Sequence, residues 1–213
     1  MSHYIAIEGV IGVGKTSLAK RLVKDLKAKL YLEPVNKVPS IKSFYKNTKK
    51  NALTTQLSFF IQRFEQLESM DFNSLFQKDI IMDYIWQKDE IFAKYTLNSE
   101  EFELYQTIKK KLTTEIKKPD LVVYLQAPLE VLIHRIEMRN RDYENNISYD
   151  YLNGLYKEYT EFFCHYKETP LLIVNAGAID WVNNEKDYQI LKENILSKPI
   201  GRNFLNFEPS QLF

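Results

Sequence analysis

Cysteine occurs once, at Cys164, glycine six times and proline seven times in 213 residues. A single cysteine excludes an intramolecular disulfide and any cysteine-based zinc cluster, and it fits a reducing cytosol. Scarce glycine and proline, beside 45% hydrophobic and 14% aromatic residues, exclude a fibrous repeat or a disordered chain and allow a sizeable core. An excess of one charge is also missing: 29 Lys+Arg against 28 Asp+Glu leave a formal net charge of +1. This removes the bulk basic field of a non-specific nucleic-acid binder, so no nucleic-acid polymer is expected as a partner and any anion must be met locally. No apolar run approaches the roughly 18 residues that span a bilayer. The opening Met1-Ser2-His3-Tyr4 leads straight into Ile5-Ala6-Ile7 and predicts no signal peptide. The expectation is one cytoplasmic domain over residues 1–198 with no membrane partner, followed by a tail over 199–213 that reads as irregular.

What the sequence does contain is alternation. Short runs rich in branched residues at 5–7, 80–82, 121–125 and 171–174, with a weaker one at 30–32, read as strands. Amphipathic stretches at 16–29, 54–69, 99–118, 149–166 and 185–196 read as helices, and Pro128 suits the first position of another. Asn98 followed by Glu101 forms a helix-start signature. The pattern predicts an α/β fold: a five-stranded parallel sheet with helices on both faces. Lys109-Lys110-Lys111 and Lys117-Lys118 are read as a solvated helix face.

The run Gly9-Val10-Ile11-Gly12-Val13-Gly14-Lys15-Thr16 fits the pattern G-x-x-x-x-G-K-[ST], between the first strand and the first helix. Glycines let successive N–H groups curl inward, and the helix N-terminus, with Ser17 in its first turn, adds about half a positive charge. Lys15 then reaches the β- and γ-phosphates, and the Thr16 hydroxyl ligates Mg²⁺. Nucleotide binding follows, with GTPase, motor, transporter ATPase and small-molecule kinase still open.

Ligands of open α/β sheets lie beyond the carboxyl ends of the strands. Two acids stand there, Glu33 after 30–32 and Asp83 after 80–82. Carboxylates beside a triphosphate are electrostatically costly unless they hold a metal or take a proton, so Glu33 is assigned as the base and Asp83 as metal support. Three of the six arginines, Arg135, Arg139 and Arg141, fall within seven positions and suggest a phosphate-gripping lid over about 139–147. Lys15, Arg135 and Arg139 would neutralise developing charge.

From about residue 4 to 184 these residues resemble the deoxynucleoside kinase family, in its bacterial-type branch, which implies a P-loop kinase fold. Glu33-Pro34-Val35 resembles the family's Glu-Pro-Val, whose glutamate is the base for the sugar 5′-hydroxyl. The resemblance implies that Tyr45 and Glu144 contact the 3′-hydroxyl and that Gln56, Arg63 and Asp89 read the base. Arg139 and Arg141 would grip the phosphates, and Asp180 and Trp181 would contact adenine. ATP, Mg²⁺, a deoxynucleoside and a homodimer through the helices at 54–69 and 99–118 are implied likewise.

Two positions depart from the family. Asp83-Tyr84-Ile85 stands where Asp/Glu-Arg-Ser is usual, although a bacterial branch has a similar Asp-Tyr pattern. The missing arginine ordinarily holds the 5′-oxygen and the base glutamate, so a lid arginine is expected to cover for it, with Tyr84 in the substrate site. Asn140 replaces a lid glycine and tolerates a left-handed backbone. The expected activity is phosphorylation of deoxyadenosine or deoxyguanosine, then deoxycytidine. A thymidylate-type kinase would need a further arginine for its acceptor phosphate, and a non-catalytic P-loop subunit would have no use for Glu33 and three lid arginines.

Overall fold

The computed structural model describes residues 3–70, 72, 78–112, 116–144 and 146–206. Six parallel strands form one sheet in the order β2-β3-β1-β4-β5-β6: β1 (Tyr4–Gly9), β2 (Lys29–Tyr31), β3 (Ile80–Met82), β4 (Leu121–Gln126), β5 (Leu171–Asn175) and β6 (Arg202–Leu205). The central strands are mainly apolar because helices cover both faces, with Glu8 as the one charged residue of β1. In β1, Ile5 lies opposite Ile81 on one side and Leu121 on the other.

Among the described residues eight α-helices accompany the sheet: α1 (Lys15–Leu26), α2 (Ile41–Lys46), α3 (Ala52–Glu68), α4 (Lys88–Thr96), α5 (Ser99–Leu112), α6 (Leu129–Arg139), α7 (Tyr149–His165) and α8 (Glu185–Leu196). Helix α1 buries Leu18, Ala19 and Leu22 against the sheet. The predicted start of α5 is present: Asn98 Oδ1 accepts from the Glu101 N–H at 2.9 Å, and Glu101 Oε2 accepts from the Asn98 N–H at 3.1 Å.

Three expectations need correction. The sheet has six strands, because part of the tail read as irregular pairs with β5 through Leu171 opposite Arg202 and Val174 opposite Leu205. Residues 116–119 are not helical, so Lys117 and Lys118 lie outside α5. Helix α4 was not anticipated, since Ile91, Phe92 and Ala93 are consecutive and all buried, while Lys88 and Asp89 are buried too.

Strand β1 lies between β3 and β4, and the chain leaves it first toward β2 and later toward β4. This is the switch point where open α/β sheets bind ligands. The P-loop leaves the sheet here, with Glu33 and Asp83 at the ends of the two neighbouring strands on one side.

Candidate active site

The P-loop needs its glycines for space as well as for backbone angle. Gly12 and Gly14 have φ of 90° and 104°, and a Cβ would come within 2.7 Å of the Leu132 carbonyl oxygen and the Trp181 ring respectively. Lys15 Nζ donates to the carbonyls of Gly9 at 2.6 Å and Val10 at 3.2 Å. Burial, reinforced by the positive charge of Lys88, lowers its pKa to about 8. The Thr16 hydroxyl donates to Asp83 Oδ2 at 2.7 Å, and Asp83 Oδ1 accepts the Glu33 N–H at 2.7 Å. The two predicted metal-binding residues therefore touch, and Asp83 also fixes the backbone of the predicted base.

Glu33 is held by two cations. Oε1 accepts from Arg63 Nη2, and Oε2 accepts from Lys88 Nζ at 2.7 Å. Burial alone would raise the carboxyl pKa, but Lys88 and Arg63 outweigh it and hold it at about 2. Glu33 is therefore an anion at any ordinary pH. Arg63 Nε and Nη1, Gln56 Oε1 and Asp89 Oδ1 are buried with no hydrogen-bond partner among the described residues. The remaining oxygen of Asp89 accepts from the Tyr105 hydroxyl and lies 3.6 Å from Lys109 Nζ. Buried polar atoms left unpaired are costly, and a polar ligand that met them would recover that cost.

The segment expected to be a lid follows α6, which stops at Arg139 because Asn140 adopts φ 45°. Arg139 donates through Nε and Nη2 to Glu144 Oε2, while Arg141 Nη1 lies 3.0 Å from the Tyr143 hydroxyl and 3.5 Å from Glu144 Oε1. The Tyr143 ring stacks on Tyr45, with centroids 6.3 Å apart and planes 15° from parallel. One cleft of about 780 Å³ runs from the P-loop past Glu33 to this lid.

Residues 5–200 match the family model described as deoxynucleoside kinase. The chain belongs to the deoxynucleoside kinase family. A deoxyguanosine kinase of Bacillus subtilis (strain 168) is 33% identical over 197 residues, covering 90% of this chain and 95% of the relative. A deoxyadenosine kinase of Dictyostelium discoideum is 31% identical over 195 residues, covering 89% of this chain and 78% of the relative. Among solved structures, a deoxyadenosine kinase from M. mycoides with bound dATP superposes with a TM-score of 0.78 at 25% identity, over 91% of this chain and 99% of that one.

Within this deoxynucleoside kinase fold, the predicted residues divide into two groups. Ile11, Gly12, Gly14, Lys15, Thr16, Ser17, Glu33, Tyr45, Arg63, Asp83, Arg139, Arg141 and Glu144 line this cleft. Gln56 and Asp89 are buried outside its lining, although Asp89 is near enough to Arg63 to raise the guanidinium pKa. Arg135 does not line the cleft either: it donates to the Val13 carbonyl at 3.1 Å and the Ala176 carbonyl at 3.0 Å, bracing the P-loop from behind. The Trp181 ring is buried against Gly14, and the Asp180 carboxylate accepts from the N–H groups of Val182 and Asn183.

The substrate role expected for Tyr84 is corrected. Its ring is fully buried, and its hydroxyl donates to Gln66 Oε1 at 2.5 Å; Gln66 in turn donates to the Leu32 carbonyl at 3.2 Å. Tyr84 thus supports the backbone before Glu33 without entering the cleft.

Two residues escaped the sequence reading. Glu8 is fully buried and accepts from the N–H groups of Gly9 at 2.8 Å and Ile85 at 3.0 Å. It is the acid at the carboxyl end of β1, so the rule that picked out Glu33 and Asp83 reaches it as well. Lys88 carries no such signal.

Proposed function

We propose that this protein is an ATP-dependent kinase of purine deoxynucleosides, active in cytoplasmic nucleotide salvage. The observation that carries this reading is the continuous cleft with Lys15 and Thr16 at one end and Glu33 and Arg63 at the other. Deoxyguanosine and deoxyadenosine kinases among its relatives favour a purine substrate.

The P-loop N–H groups and Lys15 bind the β- and γ-phosphates, with Arg139 and Arg141 closing from the lid. Thr16 Oγ1 and Asp83 Oδ2 are hard oxygen donors in contact, a pair suited to Mg²⁺, which keeps several waters and shares phosphate oxygens. These two residues would hold the ion, and when bound it neutralises charge on the transferring phosphoryl group. Gln56, Arg63 and Asp89 offer the base their unpaired donors and acceptors, while Tyr45 and Glu144 border the sugar. Glu33 accepts a hydrogen bond from the 5′-hydroxyl and takes its proton as O5′ bonds to the γ-phosphorus and the bond to the β–γ bridging oxygen breaks. With a pKa of about 2, Glu33 is a weak base, and the proton moves late, when the hydroxyl has become acidic. Most of the rate then comes from positioning and charge stabilisation. The protein acts as a homodimer through α3 and α5, where Ile61, Leu104 and Leu112 are exposed; sedimentation equilibrium checks this.

A coupled assay with ATP, Mg²⁺ and each of the four common deoxynucleosides tests the reading on wild type and Glu33→Gln. Purine turnover is expected, with kcat falling by about 10²- to 10⁴-fold in the variant. Equal turnover in both proteins removes the base assignment, and no turnover with any deoxynucleoside removes the kinase reading.

A further inference from the structure

Position 84 cannot supply a cation to Glu33, and the expectation that a lid arginine takes over is not met either. Arg139 and Arg141 turn to Glu144, and Arg135 holds backbone carbonyls. The cation that reaches the second oxygen of Glu33 comes from α4, an element that the sequence did not disclose.

Lys88 is an unfavourable residue by every local criterion. It is 4% exposed, whereas lysine is rarely buried without a partner. It occupies the first position of α4, where the helix dipole repels positive charge. The one hydrogen bond of its side chain among the described residues is the 2.7 Å contact with Glu33 Oε2, and it lines the cleft. Phe92, on the next turn, places its ring centroid 5.8 Å from Nζ. Arg63 faces two ways, since its other two nitrogens are buried and unpaired. The Lys88 ammonium is a single point of charge, and the hydrogen bond it makes among the described residues goes to Glu33.

We propose that Lys88 is the positioning residue of the general base, replacing from α4 the cation absent at position 84. It acts through Glu33, holding the carboxylate pointed at the acceptor hydroxyl through the 2.7 Å contact with Oε2 while Arg63 turns to the nucleobase. This inference rests on the kinase reading above, and the experiment separates the two.

The first arm compares Lys88→Met, Lys88→Arg and wild type in the coupled assay, using the deoxynucleoside that wild type turns over fastest. Lys88→Met is expected to lose about 10²-fold in kcat, with KM for ATP within about threefold of wild type. Lys88→Arg, which keeps the charge, should recover at least about tenfold of that loss. A kcat for Lys88→Met within about threefold of wild type overturns the proposal, as does failure of Lys88→Arg to recover any activity.

The second arm needs no turnover. Thermal midpoints of wild type, Lys88→Met, Glu33→Gln and the double variant form a double-mutant cycle. Lys88→Met should lower the midpoint when Glu33 is present and raise it in the Glu33→Gln background, where Lys88 is a buried cation short of its carboxylate. Equal shifts in both backgrounds overturn the pairing. An inactive wild type with a coupled cycle would instead sink the kinase reading and leave the pair intact.

Discussion

The two ends of the cleft differ in what holds their polar side chains, although Trp181 Nε1, on the ring against Gly14, is buried and unpaired among the described residues too. At the phosphate end, Lys15 bonds to loop carbonyls, Thr16 to Asp83, and Arg135 braces the loop from behind. At the acceptor end, Arg63 has two buried unpaired nitrogens, and behind the lining Gln56 and Asp89 each have one buried unpaired oxygen among the described residues. A cradle built from backbone treats polyphosphates alike, because every nucleotide has the same phosphates. A pocket built from side chains leaves hydrogen bonds unmade when the wrong base enters, and discrimination arises there.

If the division is real, damage to one end should spare binding at the other. Lys15→Met is expected to lower kcat by about 10⁴-fold while deoxynucleoside binding, read by calorimetry, stays within about threefold. Arg63→Met should cut kcat/KM for the deoxynucleoside by about 10³-fold and leave ATP affinity near wild type. Equal losses of both ligands in either variant would break the comparison.

The acceptor end should also carry a signature in acid. The Glu33 pKa is depressed to about 2 in the folded protein, below its unfolded value. Its stabilising contribution is therefore fully present above about pH 4.5 and is lost as pH falls toward 2, by about 3 kcal/mol in all. Urea midpoints measured across that window should fall in wild type and vary less in Glu33→Gln. The smallest effect lies outside both ends: Ser148 caps α7 by accepting from the Tyr151 N–H at 3.2 Å. Ser148→Ala should cost about 1 kcal/mol of stability and leave both kinetic constants unchanged.

The same contrast governs how much could be read from sequence. The P-loop is eight consecutive residues, and its chemistry depends on neighbours in the chain, so it was legible. Asp83 was legible because the buried strand β3 stands out as a branched run whose end marks the site, and Glu33 because it follows the weaker run at 30–32, where the edge strand β2 ends. The acceptor end is assembled from α3, α4 and the lid, and periodicity gives no register between them. Lys88 on α4 carries no signal in the sequence, and Tyr84 is expected in the substrate site because it stands where the family's arginine is usual. Strand β6 escaped since Arg202 and Asn203 break any apolar run, as suits a sheet edge that faces solvent on one side.

That edge strand has a consequence for handling the protein. Strand β5, with Leu171, Leu172, Ile173 and Val174 in succession, has β6 as its outer partner among the described residues. A truncation after Pro199 would leave the N–H and C=O row of an apolar strand open to the same strand in another molecule. Such a protein should scatter light and precipitate while its phosphate cradle, at the centre of the sheet, is still intact.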